Sequence, residues 1–339
     1  MLMQNVWMVI VRGFFLAIGI ILLIFFLMRA AYAIDPMSTV GPEQCIDCHS
    51  GAHSIWEEST HYKTYEELAS SDEGLEIAEA MDVDDIEGID GECVGCHFTV
   101  VGESEDDLEP IAGISCESCH GAAIDWYESH GEYPGEGPES ESSAQRDARI
   151  AAAEAAGMIR PERIDAIAAN CLGCHTVPNE KLVNVGGHTA GSDFELVSWS
   201  QGEVRHNVFW NDVGENAELP PERIRVLYVV GLATDLRFSL LALGKATEEG
   251  DYLAAMKQRV TNALAQLEQV NSAKELPELN SIISVGKSAP LTAGSHDALQ
   301  AAANTIGTQV SKFATSYDGS ELAAIDSLIQ KEYRFSDKY

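Results

Sequence analysis

Positive charge is almost missing from a long stretch of this chain. Between residues 41 and 141 the one Lys or Arg is Lys63, set against 28 Asp and Glu. Over all 339 residues, 21 Lys and Arg face 54 Asp and Glu, a formal charge of −33. Such a surface repels a phosphate backbone and excludes nucleic acid as a partner. It would draw in a basic protein by long-range attraction. Solubility in a salty medium explains the same charge without a partner, because screening weakens steering. Cysteine is missing after Cys174, and beyond Leu219-Pro220-Pro221 the one histidine is His296, so residues 221–339 carry no chemical motif. Long apolar runs are missing too, with one exception. Gly13 to Met28 is a 16-residue apolar stretch between Arg12 and Arg29, followed by the cleavage-like Ala31-Tyr32-Ala33. It is short for a membrane span, which takes about 20 apolar residues, so a cleaved export signal over residues 1–33 is favoured. An uncleaved membrane anchor stays open, since residues 6–11 are also apolar.

What the chain does have is one phrase written four times. Cys45-Ile-Asp-Cys48-His49, Cys93-Val-Gly-Cys96-His97, Cys116-Glu-Ser-Cys119-His120 and Cys171-Leu-Gly-Cys174-His175 use all eight cysteines. The pattern C-x-x-C-H is the attachment signature of c-type haem. On a helical turn, positions i, i+3 and i+4 share one side. Both thiols can then bond one porphyrin while the histidine reaches its iron. Cys45 with Cys48, Cys93 with Cys96, Cys116 with Cys119 and Cys171 with Cys174 are therefore the expected attachment pairs. Zinc sites, a redox dithiol or disulfides are the competing readings. None of them requires a histidine directly after the second cysteine four times over. The expected cofactors are four covalently bound haems, the expected location is outside the cytoplasm (the periplasm), and the expected role is electron transfer.

Helical patterning dominates the rest. The sequence predicts a helix from Ser54 toward Leu68, a short helix and loop over 70–92, a short strand at Phe98–Val101, and an acidic loop from Glu103 to Pro110. Residues 131–143 read as irregular, 146–156 as a helix, and Pro161 as the opening of a helix carrying Ile164, Ile167, Ala168 and Cys171 on one face. The fold class is mainly α, with little strand: an export segment (1–33), a multihaem unit (34–220) and a C-terminal helical bundle (221–339). The bundle is expected to hold helices over 222–247 and 251–270, a third from Ser295 toward Phe313, and a fourth over Glu321–Tyr333. Leu276 to Pro290 reads as its longest interruption.

Each motif histidine supplies one axial ligand, and the sixth position decides whether an iron carries electrons or binds a small molecule. Six histidines remain: His53, His61, His130, His188, His206 and His296. Spacing alone does not pair them. His53 and His296 read as surface residues, His53 also as a propionate contact. Met81 and Met158 are weaker ligand candidates.

Motif one followed by Trp56-x-x-Ser59-x-His61, the stretch Gly113-Ile-Ser-Cys-Glu-Ser-Cys-His-Gly121 with His130 beyond it, and Gly202-Glu-Val-Arg-His206 together resemble the tetrahaem cytochrome c-554 family over about residues 41–215. The resemblance implies a crossed scheme. His130 serves the iron of His49, His61 that of His175, and His206 that of His120, with the haems packed as stacked pairs. The iron of His97 is left open and high-spin, with His188 or His53 as rivals for its sixth position. In this family electrons from hydroxylamine oxidation are passed onward. The expected function is therefore an exported carrier between redox proteins, basic ones if charge steers them. Membrane attachment is expected only if the N-terminal segment stays uncleaved. A second reading makes the His97 haem an enzyme site for nitric oxide or hydroxylamine. A third makes the bundle an oligomerisation module.

Overall fold

Ser59 divides the first predicted helix into two. In the computed structural model, which describes residues 34–89, 91–208 and 215–334, α1 spans Ile46–Glu57 and α2 spans Thr60–Glu67. The export segment expected over 1–33 lies outside the described residues. Ser59 has extended backbone (φ −79, ψ 159), and its hydroxyl accepts from the Tyr62 N–H, so it ends one helix and caps the next. Trp56 pins the junction by donating from Nε1 to the Ile114 carbonyl at 2.7 Å.

The next helix, α3 (Asp72–Met81), is capped by Ser71; it turns Ala78 and Met81 inward and leaves Asp72, Glu73, Glu76 and Glu79 in water. Motif two forms the single turn α4 (Val94–His97). Strand β1 (Thr99–Val101) pairs antiparallel with β2 (Glu109–Ala112), the one sheet among the described residues. The acidic loop is therefore shorter than its composition suggests. Motif three is α5 (Cys116–His120). Helix α6 (Ser143–Ala155) starts at a capping box made by Ser142 and Gln145. Motif four ends α7 (Ile164–His175), which begins three residues after Pro161 rather than at it. The short helices α8 (Glu180–Asn184) and α9 (Leu196–Ser200) complete this part. The chain is mainly α.

Beyond residue 220 lie α10 (Pro221–Leu243), α11 (Asp251–Ala273), α12 (Pro277–Ser288) and α13 (His296–Ser316). The interruption expected from Leu276 to Pro290 is instead α12. Pro277 occupies a first-turn position, where no helical N–H is needed. Gly286 lets the helix lie against Leu236 and Leu264, which a Cβ there would meet at 3.0 and 2.8 Å. The helix expected over 321–333 is only a 3-10 turn, Ser320–Ile325, whose Leu322 and Ile325 cap the bundle's core.

One core runs through all of this. Leu227, Leu236, Leu240, Met256, Leu267 and Phe313 are buried together with Ile164 and Ala168 of α7 and Leu196 and Val197 of α9. Each fully buried leucine among them stabilises the fold by about 2 kcal/mol. α10 is long and apolar enough to cross a membrane by length and composition, but most of it is covered by its neighbours. Around motifs one to three the apolar clusters are small: Ala78, Ile86, Val94, Phe98 and Val100 in one, Ala123, Trp126 and Ala153 in another. Motif four alone is built on a helix seated in the large core.

Candidate metal centres

The attachment pairs lie on helical turns, as their spacing requires. The Cys48 and His49 N–H groups both donate to the Cys45 carbonyl, at 3.3 and 2.9 Å, and those of Cys96 and His97 to the Cys93 carbonyl, at 3.2 Å each. The eight thiols are not alike, however. Cys45, Cys93, Cys96, Cys116, Cys119, Cys171 and Cys174 are partly buried, whereas Cys48 is exposed. Asp47 and Cys48 fall on the exposed side of the first turn of α1, so the second thiol of motif one stands at the outer edge of its site. No two of the eight cysteines form a disulfide.

Every motif histidine has another histidine facing it. The ring centroids of His49 and His130 lie 6.2 Å apart, those of His61 and His175 6.1 Å, those of His120 and His206 6.0 Å, and those of His97 and His188 6.4 Å. Two imidazoles on opposite sides of one metal, with bonds of about 2.0 Å and about 1.1 Å from each ring centre to its nitrogen, have centroids about 6 Å apart. All four separations fit that geometry. Among the described residues no group of three or more His, Cys, Asp or Glu is set to hold a bare metal ion.

The remaining ring nitrogens fit as well. A ligand histidine commonly gives its second N–H to a carbonyl or similar acceptor, which fixes the ring. His120 Nδ1 lies 2.8 Å from the Ile159 carbonyl, His130 Nδ1 2.5 Å from that of Tyr127, His188 Nδ1 2.9 Å from that of Thr189, and His206 Nδ1 2.7 Å from that of Val204. His175 Nδ1 lies 2.6 Å from the Ser192 hydroxyl. In each case Nε2 is left for a metal. Burial keeps the rings neutral, as a ligand must be. Desolvation, with neighbouring histidines adding to it, pushes His97 and His120 down to about 4 and His175 to about 3. His49 and His61 are also lowered, burial being the main cause.

Local structure explains how each motif histidine is presented. His49 leaves helical geometry inside α1 (φ −126, ψ 39), which turns its ring out of the helix line. His130 sits on the 3-10 turn Ser129–Gly131, and its carbonyl accepts from Arg149 of α6. Trp126 packs edge-on against His130, its centroid 5.2 Å away. His175 is stacked on Phe194 at 4.5 Å and flanked by Trp199 at 5.1 Å. His61 stands near Glu203, a buried carboxylate that accepts from the Thr60 N–H.

The resemblance leaves His97 without a partner, but the structure sets His188 opposite it. The loop bearing His188 is held beside motif two by one contact to that motif and one to α3. Asn179, capping α8, donates to Glu92 beside Cys93. Met81 of α3 packs against Gly186, where a Cβ would come within 2.9 Å of the methionine side chain. Met81 is thus buried beside the loop, and Met158 packs beside Trp126 and Ala153. His53 is not a surface residue: it is 4% exposed, its ring nitrogens lack hydrogen-bond partners, and Glu57 and Glu43 lie 3.6 and 4.0 Å away. His296 is exposed on the bundle.

The four motifs are neighbours in a definite order. The Cys45 and Cys116 thiols lie close enough to act on one another, and so do those of Cys96 and Cys174. Asn170 of α7 donates to the Cys119 carbonyl at 3.0 Å, and Cys119 acts on Cys171. Motif one therefore adjoins motif three, three adjoins four, and four adjoins two. The exposed Cys48 belongs to motif one, at one end of that order. One residue inside motif three escaped the sequence reading. Glu117 is buried and accepts from the N–H groups of Val40 (3.0 Å), Gly41 (2.8 Å) and Ala123 (2.8 Å), which ties the chain before motif one to motif three. Burial pushes its carboxyl up more strongly than these amides pull it down.

Comparison with known proteins meets this geometry in its first half. Cytochrome c-554 of Nitrosomonas europaea is 31% identical to the chain over 88 residues, a stretch covering 24% of this chain and 37% of that protein. The chain thus matches little more than a third of the length of that curated relative. No solved structure matches the chain. The family model described as cytochrome c554 and c-prime matches residues 44–121, the segment bearing motifs one to three.

Proposed function

We propose that the chain is an exported tetrahaem c-type cytochrome that carries electrons between redox proteins, with a histidine on each side of every iron. Bound haem supplies the one-electron ferric/ferrous couple. The protein supplies eight thiols for attachment and eight imidazoles in four facing pairs: His49/His130, His97/His188, His120/His206 and His61/His175. The fourth pair carries the argument. With His188 at 6.4 Å, the His97 centre has the same form as the other three, and nothing distinguishes it as a substrate site. A closed centre passes electrons, whereas a vacant sixth position admits ligands.

The order one, three, four, two makes the centres a relay whose ends are the His49 and His97 sites. Carboxylates crowd both ends: Glu43, Asp47, Glu57 and Glu58 are exposed beside the first, and Asp72, Glu73, Glu76, Glu79, Asp84 and Asp85 on the α3 side of the second. That charge supports a basic redox partner, attracted more strongly at low salt. Covalent attachment and the N-terminal sequence support export. The enzyme reading, with nitric oxide or hydroxylamine at the His97 iron, would now require His188 to move away. A pyridine haemochrome assay tests the count, with four haems per chain expected and fewer refuting it. Carbon monoxide added to the reduced protein tests closure, with no spectral change expected.

A further inference from the structure

Residues 221–334 contain none of the attachment motifs, yet one of their side chains reaches the fourth centre. Arg259 of α11 donates from Nη1 to the Ser192 carbonyl at 2.9 Å and from Nη2 to Asp235 Oδ1 of α10 at 2.7 Å. The Arg259 side chain is 14% exposed, and its Nε is buried without a partner. Ser192 is the residue that holds His175. Its hydroxyl lies 2.6 Å from His175 Nδ1, and its N–H donates to the His175 carbonyl at 2.9 Å. Gly191 has φ +83, and a Cβ there would stand 2.8 Å from Arg259 Nη1, so the backbone stays bare where the guanidinium passes.

Two features set His175 apart. His120, His130, His188 and His206 face main-chain carbonyls through Nδ1, while His175 faces a hydroxyl. A carbonyl is the stronger acceptor. It draws on the ring N–H, enriches the ligand nitrogen and favours the ferric state. A hydroxyl does so less, and a nearby cation favours the state with one more electron. Both effects raise the potential of the same centre. Glu203, near His61, is paired with Arg334 at 3.7 Å, and the Arg334 guanidinium lies 4.1 Å from the Trp199 ring centre. Arg259 is answered by Asp235 on the side away from Ser192.

We propose that the Arg259–Asp235 pair, acting through Ser192, sets the redox level of the His61/His175 centre and makes it the highest-potential of the four. Arg259 and Asp235 are positioning residues, and through them the C-terminal bundle tunes an interior step of the relay. The proposal rests on the tetrahaem reading. The test is an optical redox titration of the full haem-loaded chain and two variants, after haem content has been measured in each. Arg259→Gln is expected to shift the highest-potential step downward. Asp235→Asn is expected to shift that step upward, with the other three unmoved in both. A purely structural role would not produce opposite signs. If Arg259→Gln fails to hold its haems, Arg259→Lys, which keeps the charge, replaces it and should leave the step close to its original position. Four haems with no step moved in Arg259→Gln or in Asp235→Asn, or these two moving it in one direction, overturn the proposal; Asp235→Asn alone decides where Arg259→Gln loses haem. Fewer than four haems in the unaltered chain overturns the tetrahaem reading, and the proposal with it.

Discussion

Replacing His188 with alanine isolates the centre on which the carrier and enzyme readings differ. His97 and His188 are 6.4 Å apart between ring centroids. Subtracting about 1.1 Å for each ring leaves about 4.2 Å between the ligating nitrogens, room for one iron with two bonds of about 2.1 Å. His188→Ala removes one of these bonds and puts no other nitrogen in its place. Met81 is buried and packed against Gly186. One haem in four should then become high-spin when oxidised and bind carbon monoxide when reduced, while the other three keep their low-spin spectrum. Carbon monoxide titration followed in the Soret band counts the site directly. The expected change is from none to about one bound per chain. Binding by the unaltered protein, or no change in the variant, would refute the role given to His188.

Other consequences follow from the same geometry. The imidazole planes meet at 21° in the His49/His130 pair and 86° in the His120/His206 pair. Near-parallel planes split the iron's two π-type d orbitals and near-perpendicular planes leave them almost equal. Electron paramagnetic resonance should therefore give at least one rhombic and one strongly axial low-spin ferric signal, and a single common signal would contradict the pairing. Glu117→Ala leaves three buried amide donors without their carboxylate and should cost about 3 kcal/mol, with Glu117→Gln milder; denaturant midpoints measure the difference.

The helical class and the four attachment motifs were legible because each is a local pattern. The unequal exposure of the thiols was not, since Cys48 and Cys96 occupy the same place in identical motifs and differ only in what surrounds them. The partner histidines were hidden too, because spacing carries no pairing information. Three partners came through resemblance to a family. His188 lies far along the chain from His97, and what joins them is tertiary: the Asn179–Glu92 bond and Met81 packed on Gly186. The family match ends at residue 121, before the segment that brings His188 in. Misread elements have local causes. Pro277 and Gly286 count as helix breakers in a linear scan, yet one sits in a first turn and the other at a close helix contact. Arg259 could not be read from sequence at all, because its meaning depends on Ser192 and Asp235, each on a different segment.

The central claim is that all four irons are closed by paired histidines. The most direct measurement is a spin-quantified electron paramagnetic resonance spectrum of the oxidised protein, normalised to haem content. The account predicts four haems per chain, all low-spin. A high-spin signal amounting to one haem per chain would contradict it.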